Sequence, residues 1–140
     1  MTTAELNKVR ELREKKRRLE AKLATIKDAL KSIVPVRTGQ PPAQKLIPKI
    51  EALTIKILEL ETALESLSAQ IEETSLEILS ELVTNINLTE KECEVLVRRY
   101  VFGDRFRDIQ FMMNLSDASI FRLHADGIKK IAGFESMIIA

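Results

Sequence analysis

Two stretches of this chain repeat apolar residues at alternating steps of three and four, and that spacing decides most of what the chain is able to become. The first runs Val9, Leu12, Lys16, Leu19, Leu23, Ile26, Leu30 and Ile33, broken only by Lys16. The second runs Leu46, Ile50, Leu53, Ile57, Leu60, Leu64, Leu67 and Ile71, then slides toward Leu76, Leu79 and Val83. A mean period of 3.5 residues marks a coiled-coil seam, because it keeps a narrow apolar stripe on one side of a helix. The spacing predicts helices over about 3–34 and 46–84, the second roughly 55 to 60 Å long at 1.5 Å per residue. Thr2 or Thr3 caps the first. All four prolines and Gly39 fall between Pro35 and Pro48, so 35–45 reads as a connector that ends one helix before the next begins.

Neither stripe can be buried by its own helix, and the charges say which partner suits it. The net charge is +1, yet residues 1–38 hold eleven Lys or Arg against five acids, and residues 39–87 hold three bases against eight Glu. If the chain turns back near residue 40, facing positions have numbers that sum to about 80. Lys8, Arg13, Lys15, Arg18 and Lys22 then lie opposite Glu72, Glu65, Glu61 and Glu59. Opposite charges flanking a seam select partner and orientation, whereas exposed pairs each contribute only about 0 to 1 kcal/mol. The apolar seam must hold such a hairpin together. Ile55 and Leu58 lie off it, as do parts of Leu76 to Val83. A second stripe needs a second contact, either a homodimer or the carboxy-terminal domain folding back. The basic run from Arg13 to Arg18 is interleaved with Glu11, Glu14 and Glu20, which fits pairing within the stalk better than a DNA-binding arm.

Composition closes other routes. Aromatics make up 4% of the chain, Trp is absent, and Cys93 and His124 are the only residues of their kinds. One cysteine makes no internal disulfide, and the pair falls short of the usual three or four zinc ligands. We therefore expect no metal, no cofactor and no enzymatic activity, since no nucleophile–base set or phosphate loop is present. No apolar run approaches the roughly 20 residues of a membrane span, and a cytoplasmic setting is expected. Cys93 reads as a small apolar filler and His124 as a packed histidine.

The last third carries the only recognisable task. Thr89 followed by Glu92 forms a capping box that starts a helix, which presents Val95, Leu96 and Tyr100 and stops near Gly103. Arg105 to Met113 gives a short helix with Phe106, Ile109, Met112 and Met113 inward. Asn114 suits a left-handed turn position, Leu115 plugs the turn, and Ser116 caps a final helix. Its inward positions are Ile120, Leu123 or His124, Ile128 and Ile131. Helix, three-residue turn and longer helix is the layout of a DNA-reading unit. The fold class expected is therefore all-α, with a long antiparallel coiled-coil hairpin over 1–85, a small helix-turn-helix domain over 86–132, and an apolar tail over 133–140. The tail, with Phe134, Met137, Ile138 and Ile139, either packs on that domain or docks a partner.

The run Leu-Thr-Glu-Lys-Glu-Cys-Glu-Val-Leu-Val-Arg-Arg-Tyr-Val-Phe-Gly from Leu88, followed by Asp108-Ile109, Asn114-Leu115-Ser116, Ile120-Phe-Arg-Leu-His124 and Ile128-Lys-Lys-Ile131, resembles region four of bacterial sigma factors. More closely it is similar to phage regulators of Gram-positive bacteria related to the RinA and ArpU late-transcription activators. The resemblance covers most of the chain in layout and residues 88–131 in motif. It departs at Gln110, where Ala is usual, at Asn114, where Gly is usual, and at Gly127, where Ala is common. The resemblance implies a sequence-specific DNA-binding transcription regulator of phage or prophage promoters in a bacterial host cell, dimerising through its stalk. Helix 117–131 would read the major groove of double-stranded DNA through Ser116, Asp117, Ala118, Ser119, Phe121 and Arg122. Arg105, Arg107, Lys129 and Lys130 would neutralise phosphates. Residues 88–140 hold eight bases and eight acids, which leaves open an interaction module that binds RNA polymerase without touching DNA; Arg98 and Arg99 are candidates to contact either the DNA backbone or the polymerase.

Overall fold

The computed structural model describes residues 2–33 and 44–139, the last seven of these by backbone alone. Every element is helical: α1 (Thr3–Ile33), α2 (Ile47–Thr84), α3 (Glu90–Leu96), which widens into a π-helical turn over Val97–Val101, α4 (Phe106–Met113) and α5 (Asp117–Ile139). The Thr2 hydroxyl accepts the Glu5 N–H at 3.2 Å, so Thr2 is the cap of α1. The connector expected over 35–45 lies outside the described residues except for 44 and 45, which form a turn. The packing of the tail's side chains also lies outside them, while its backbone continues α5 to Ile139.

Packing divides the chain into two compact units, Arg13–Gln70 and Met1–Leu12 with Ile71–Ala140. In the first, the seam positions of α1 from Lys16 to Ile33 and of the second stripe from Leu46 to Leu64 are half-buried, and Leu67 is buried. These are the stripes read from the sequence. The register differs. Lys27 Nζ faces Glu61 Oε1 at 3.4 Å, a pair summing to 88 rather than 80, so each helix is displaced by about one turn. The two helix ends are not level, and counting outward from a central residue misplaces their pairing. Arg17 and Arg18 turn to Glu14, and Lys16 to Glu20, within α1. Ile55 and Leu58 remain 58% exposed among the described residues.

In the second unit, the packing does not divide at residue 85. Leu6 and Val9 of α1 and Ile78 and Leu82 of α2 share one core with Leu96, Tyr100, Val101 and Ile131. The seam of α2 does not slide to Leu76 and Val83, which are 66% and 62% exposed. It continues through half-buried Thr74 and Ser75 to buried Ile78 and Leu82. A second core joins Val95, Ile109 and Ile120, with Phe106, Met113, Leu115 and Leu123 packed on it. Adjacent residues of α3 thus serve opposite faces, Leu96 one core and Val95 the other. Met112, expected inward, is 54% exposed; α4 is only eight residues long, and its single buried stripe is filled by Ile109 and Met113.

Candidate nucleic-acid interface

The turn between α4 and α5 is built as its residues require. Asn114 takes φ 54° and ψ 47°, a left-handed conformation that its short polar side chain tolerates better than most. The Leu115 N–H donates to the Gln110 carbonyl at 3.1 Å, closing the end of α4. Ser116 Oγ accepts the Ser119 N–H at 3.3 Å and donates to Ser119 Oγ at 3.0 Å, capping α5. Leu115 sits half-buried on the second core, with Ile120 almost fully buried on the inner face of α5.

The opposite side of α5 faces solvent. Asp117, Ala118, Phe121 and Arg122 are exposed, with Phe121 at 54%, and Arg105, Arg107 and Lys129 are exposed as well. Ser119 is half-buried and its hydroxyl is already engaged by Ser116. Lys130, expected at a phosphate, is held elsewhere. Its ammonium donates to Glu92 Oε1 at 2.5 Å, and the Glu92 side chain is 5% exposed. Burial raises the Glu92 carboxyl, but Lys130 and the Thr89 hydroxyl and amide outweigh it and hold the group below its ordinary value. Thr89 also completes its expected role as the cap of α3, accepting the Glu92 N–H at 3.2 Å.

An aromatic cluster behind the exposed face was not anticipated. Tyr100 Oη and His124 Nε2 share a hydrogen bond at 2.7 Å, with their rings stacked at 5.7 Å. Phe106 meets the His124 ring edge-on at 5.0 Å and the Phe121 ring at 5.3 Å. The Arg99 guanidinium lies 4.3 Å above the Phe106 ring and donates to the Asp104 carbonyl at 3.2 Å. This stack anchors the inner edge of Phe121 while its outer edge stays wet, and it links α5 to the π-helical turn. One sequence signal pointed to it: five of the six aromatic residues lie between Tyr100 and Phe121. Arg98 is set apart from the cluster, bonded to Glu94 at 3.1 Å and against the Met112 sulfur.

The cluster has a pH consequence. Burial, reinforced by the Arg99 charge, pushes His124 below the ordinary histidine range, so the unfolded chain takes up a proton more readily than the folded one. The stability involved is fully present above the ordinary range and declines as pH falls through it toward the folded-state value. Urea unfolding should therefore give lower stability at pH 5.5 than at pH 7.5, and His124→Gln should remove most of that difference.

Among the described residues, no helix is long and apolar enough to cross a membrane, and no group of three His, Cys, Asp or Glu is placed to hold a metal ion. The chain matches no family model, no curated protein and no solved structure.

Proposed function

We propose that this chain is a sequence-specific regulator of transcription that binds double-stranded DNA, reading the major groove with the start of α5. The observation that carries the reading is the division of α5 into two faces. Ile120 is buried against α4 and α3 residues, while Asp117, Ala118, Phe121 and Arg122 project outward from a turn closed by left-handed Asn114. A helix so placed offers its first two turns to a groove. Arg122 suits a bidentate contact with guanine, and Arg105, Arg107 and Lys129 suit phosphates. Lys130 is left out because Glu92 holds it. Dimerisation through the stalk is part of the proposal, supported by the exposed Ile55 and Leu58. A phage or prophage origin rests on the motif resemblance alone.

The test is a mobility shift with the duplex flanking the chain's own gene. Specific binding should fall by about tenfold or more in Arg122→Ala, with little change on unrelated DNA. Arg107→Ala should weaken all sequences alike and reduce the salt slope by about 1. Binding without sequence preference or salt dependence would sink the reading.

A second reading is supported by Phe102, Phe111 and Met112, which are 57%, 88% and 54% exposed. Large exposed apolar side chains of this kind fit a protein partner such as RNA polymerase. Co-purification with polymerase after nuclease treatment, lost in Phe111→Ser, would favour it.

A further inference from the structure

Between α4 and the start of α5 the surface opens into a cleft of about 430 Å³, lined by Phe106, Arg107, Gln110, Asp117, Ile120 and Phe121. A second cleft, of about 640 Å³, lies along Arg107, Asp108, Gln110, Phe111, Asn114 and Leu115. Arg107 and Gln110 border both and so form a ridge between them. The Gln110 backbone carbonyl closes the turn, but among the described residues its carboxamide has no hydrogen-bond partner. A long amide thus stands where a helix-turn-helix needs only a small packing residue.

We propose that this first cleft reads an A·T base pair. The Gln110 carboxamide donates to adenine N7 and accepts from adenine N6, and the Phe121 ring packs on the methyl group of a neighbouring thymine. The inference rests on the DNA-binding reading above and names the base it selects. The chemistry of the walls favours an adenine edge. Asp117 at one wall offsets the charge of Arg107, so the cleft suits a neutral base edge better than a phosphate. The Asp117 carboxylate disfavours the guanine edge, which offers only the acceptors N7 and O6, while Arg107 suits it, so the choice of adenine falls to Gln110. A carboxamide carries both a donor and an acceptor, which matches adenine and no other purine edge. Phe121 supplies the apolar surface that a methyl group requires, and its anchoring on Phe106 fixes the ring before DNA arrives.

Selection of the full-length chain against a randomised duplex yields the preferred site. Binding is then measured on that site with 7-deazaadenine replacing each adenine in turn, and uracil replacing each thymine. One 7-deazaadenine position should weaken wild-type binding about tenfold, and the penalty should vanish in Gln110→Ala. One uracil position should weaken it by roughly threefold, and that penalty should vanish in Phe121→Ala. The salt slope should be unchanged in both variants. The analogue arm uses wild-type protein, so it decides the matter even where a variant folds poorly. A preferred site at which no adenine analogue matters, or a Gln110→Ala variant keeping full A·T preference, overturns the inference while leaving sequence-specific binding intact. A wild-type chain with no preferred site brings down the DNA-binding reading itself.

Discussion

Valine at position 127 should destabilise the protein by about 2 to 3 kcal/mol, seen as a melting temperature lower by roughly 10 °C. Gly127 is buried midway along α5, and a Cβ built there lies 2.9 Å from Leu96 Cδ1 and 3.3 Å from Leu96 Cγ. Two effects compete. Glycine inside a helix costs about 1 kcal/mol relative to alanine, so any side chain gains from the backbone. Against this, Leu96 is fully buried in the first core, so its side chain must turn against close-packed neighbours to make room. The steric loss wins, modestly for Gly127→Ala and strongly for Gly127→Val. The decisive check is the pair with Leu96→Ala. That change alone should cost about 2 to 5 kcal/mol through the cavity it leaves. Valine at 127 fills part of that cavity, so the double variant should be more stable than the sum of the two losses by over about 1 kcal/mol. Strict additivity would mean that the close approach of α5 to α3 is not why glycine stands there.

The same glycine marks where sequence reasoning works and where it stops. A glycine in a helix registers in the sequence only as a cost, because its benefit belongs to a residue 31 positions away. The long helices were legible because a 3.5-residue stripe states both the element and the face it buries, and the observed ends, Ile33 and Ile47, fall within a residue of those expected. Caps and the turn were legible for a related reason: Thr89, Ser116 and Asn114 act on backbone groups within five residues of themselves.

What failed were quantities set at a distance. The hairpin register depends on how two separated helix ends meet, and it moved by a turn. The seam beyond Ile71 passes through Thr74 and Ser75, whose polar side chains hide it in the apolar pattern, so Leu76 and Val83 lie outside it. The π-helical widening over Val97–Val101 shifts the phase of everything after it, yet no residue there announces it. The candidate site shows the same split. The exposure of Asp117, Phe121 and Arg122 follows from helical phase alone, but the engagement of Lys130 by a glutamate 38 positions earlier does not.

That engagement sets the second large effect. Lys130→Met should lower stability by about 2 kcal/mol, because it leaves the Glu92 carboxylate buried without its cation. Removing one partner of a fully buried pair costs about 3 to 5 kcal/mol, and the figure is reduced here because the Lys130 side chain is 37% exposed and partly screened. Glu92→Gln should cost less, since the lysine left behind can turn to water. The double variant Glu92→Gln, Lys130→Met should recover much of the loss of Lys130→Met alone. Acid titration supplies an independent sign. Glu92 is held below the ordinary carboxyl value despite burial, so in the parent protein it contributes stability above that value and loses it as pH falls through the folded-state one. Lys130 supplies the largest of the opposing effects, so Lys130→Met should flatten the acid limb of stability against pH. If the variant loses stability equally at pH 3.5 and pH 7, the methylene stem of Lys130 is what α5 needs, and its charge is then the group free to meet a phosphate.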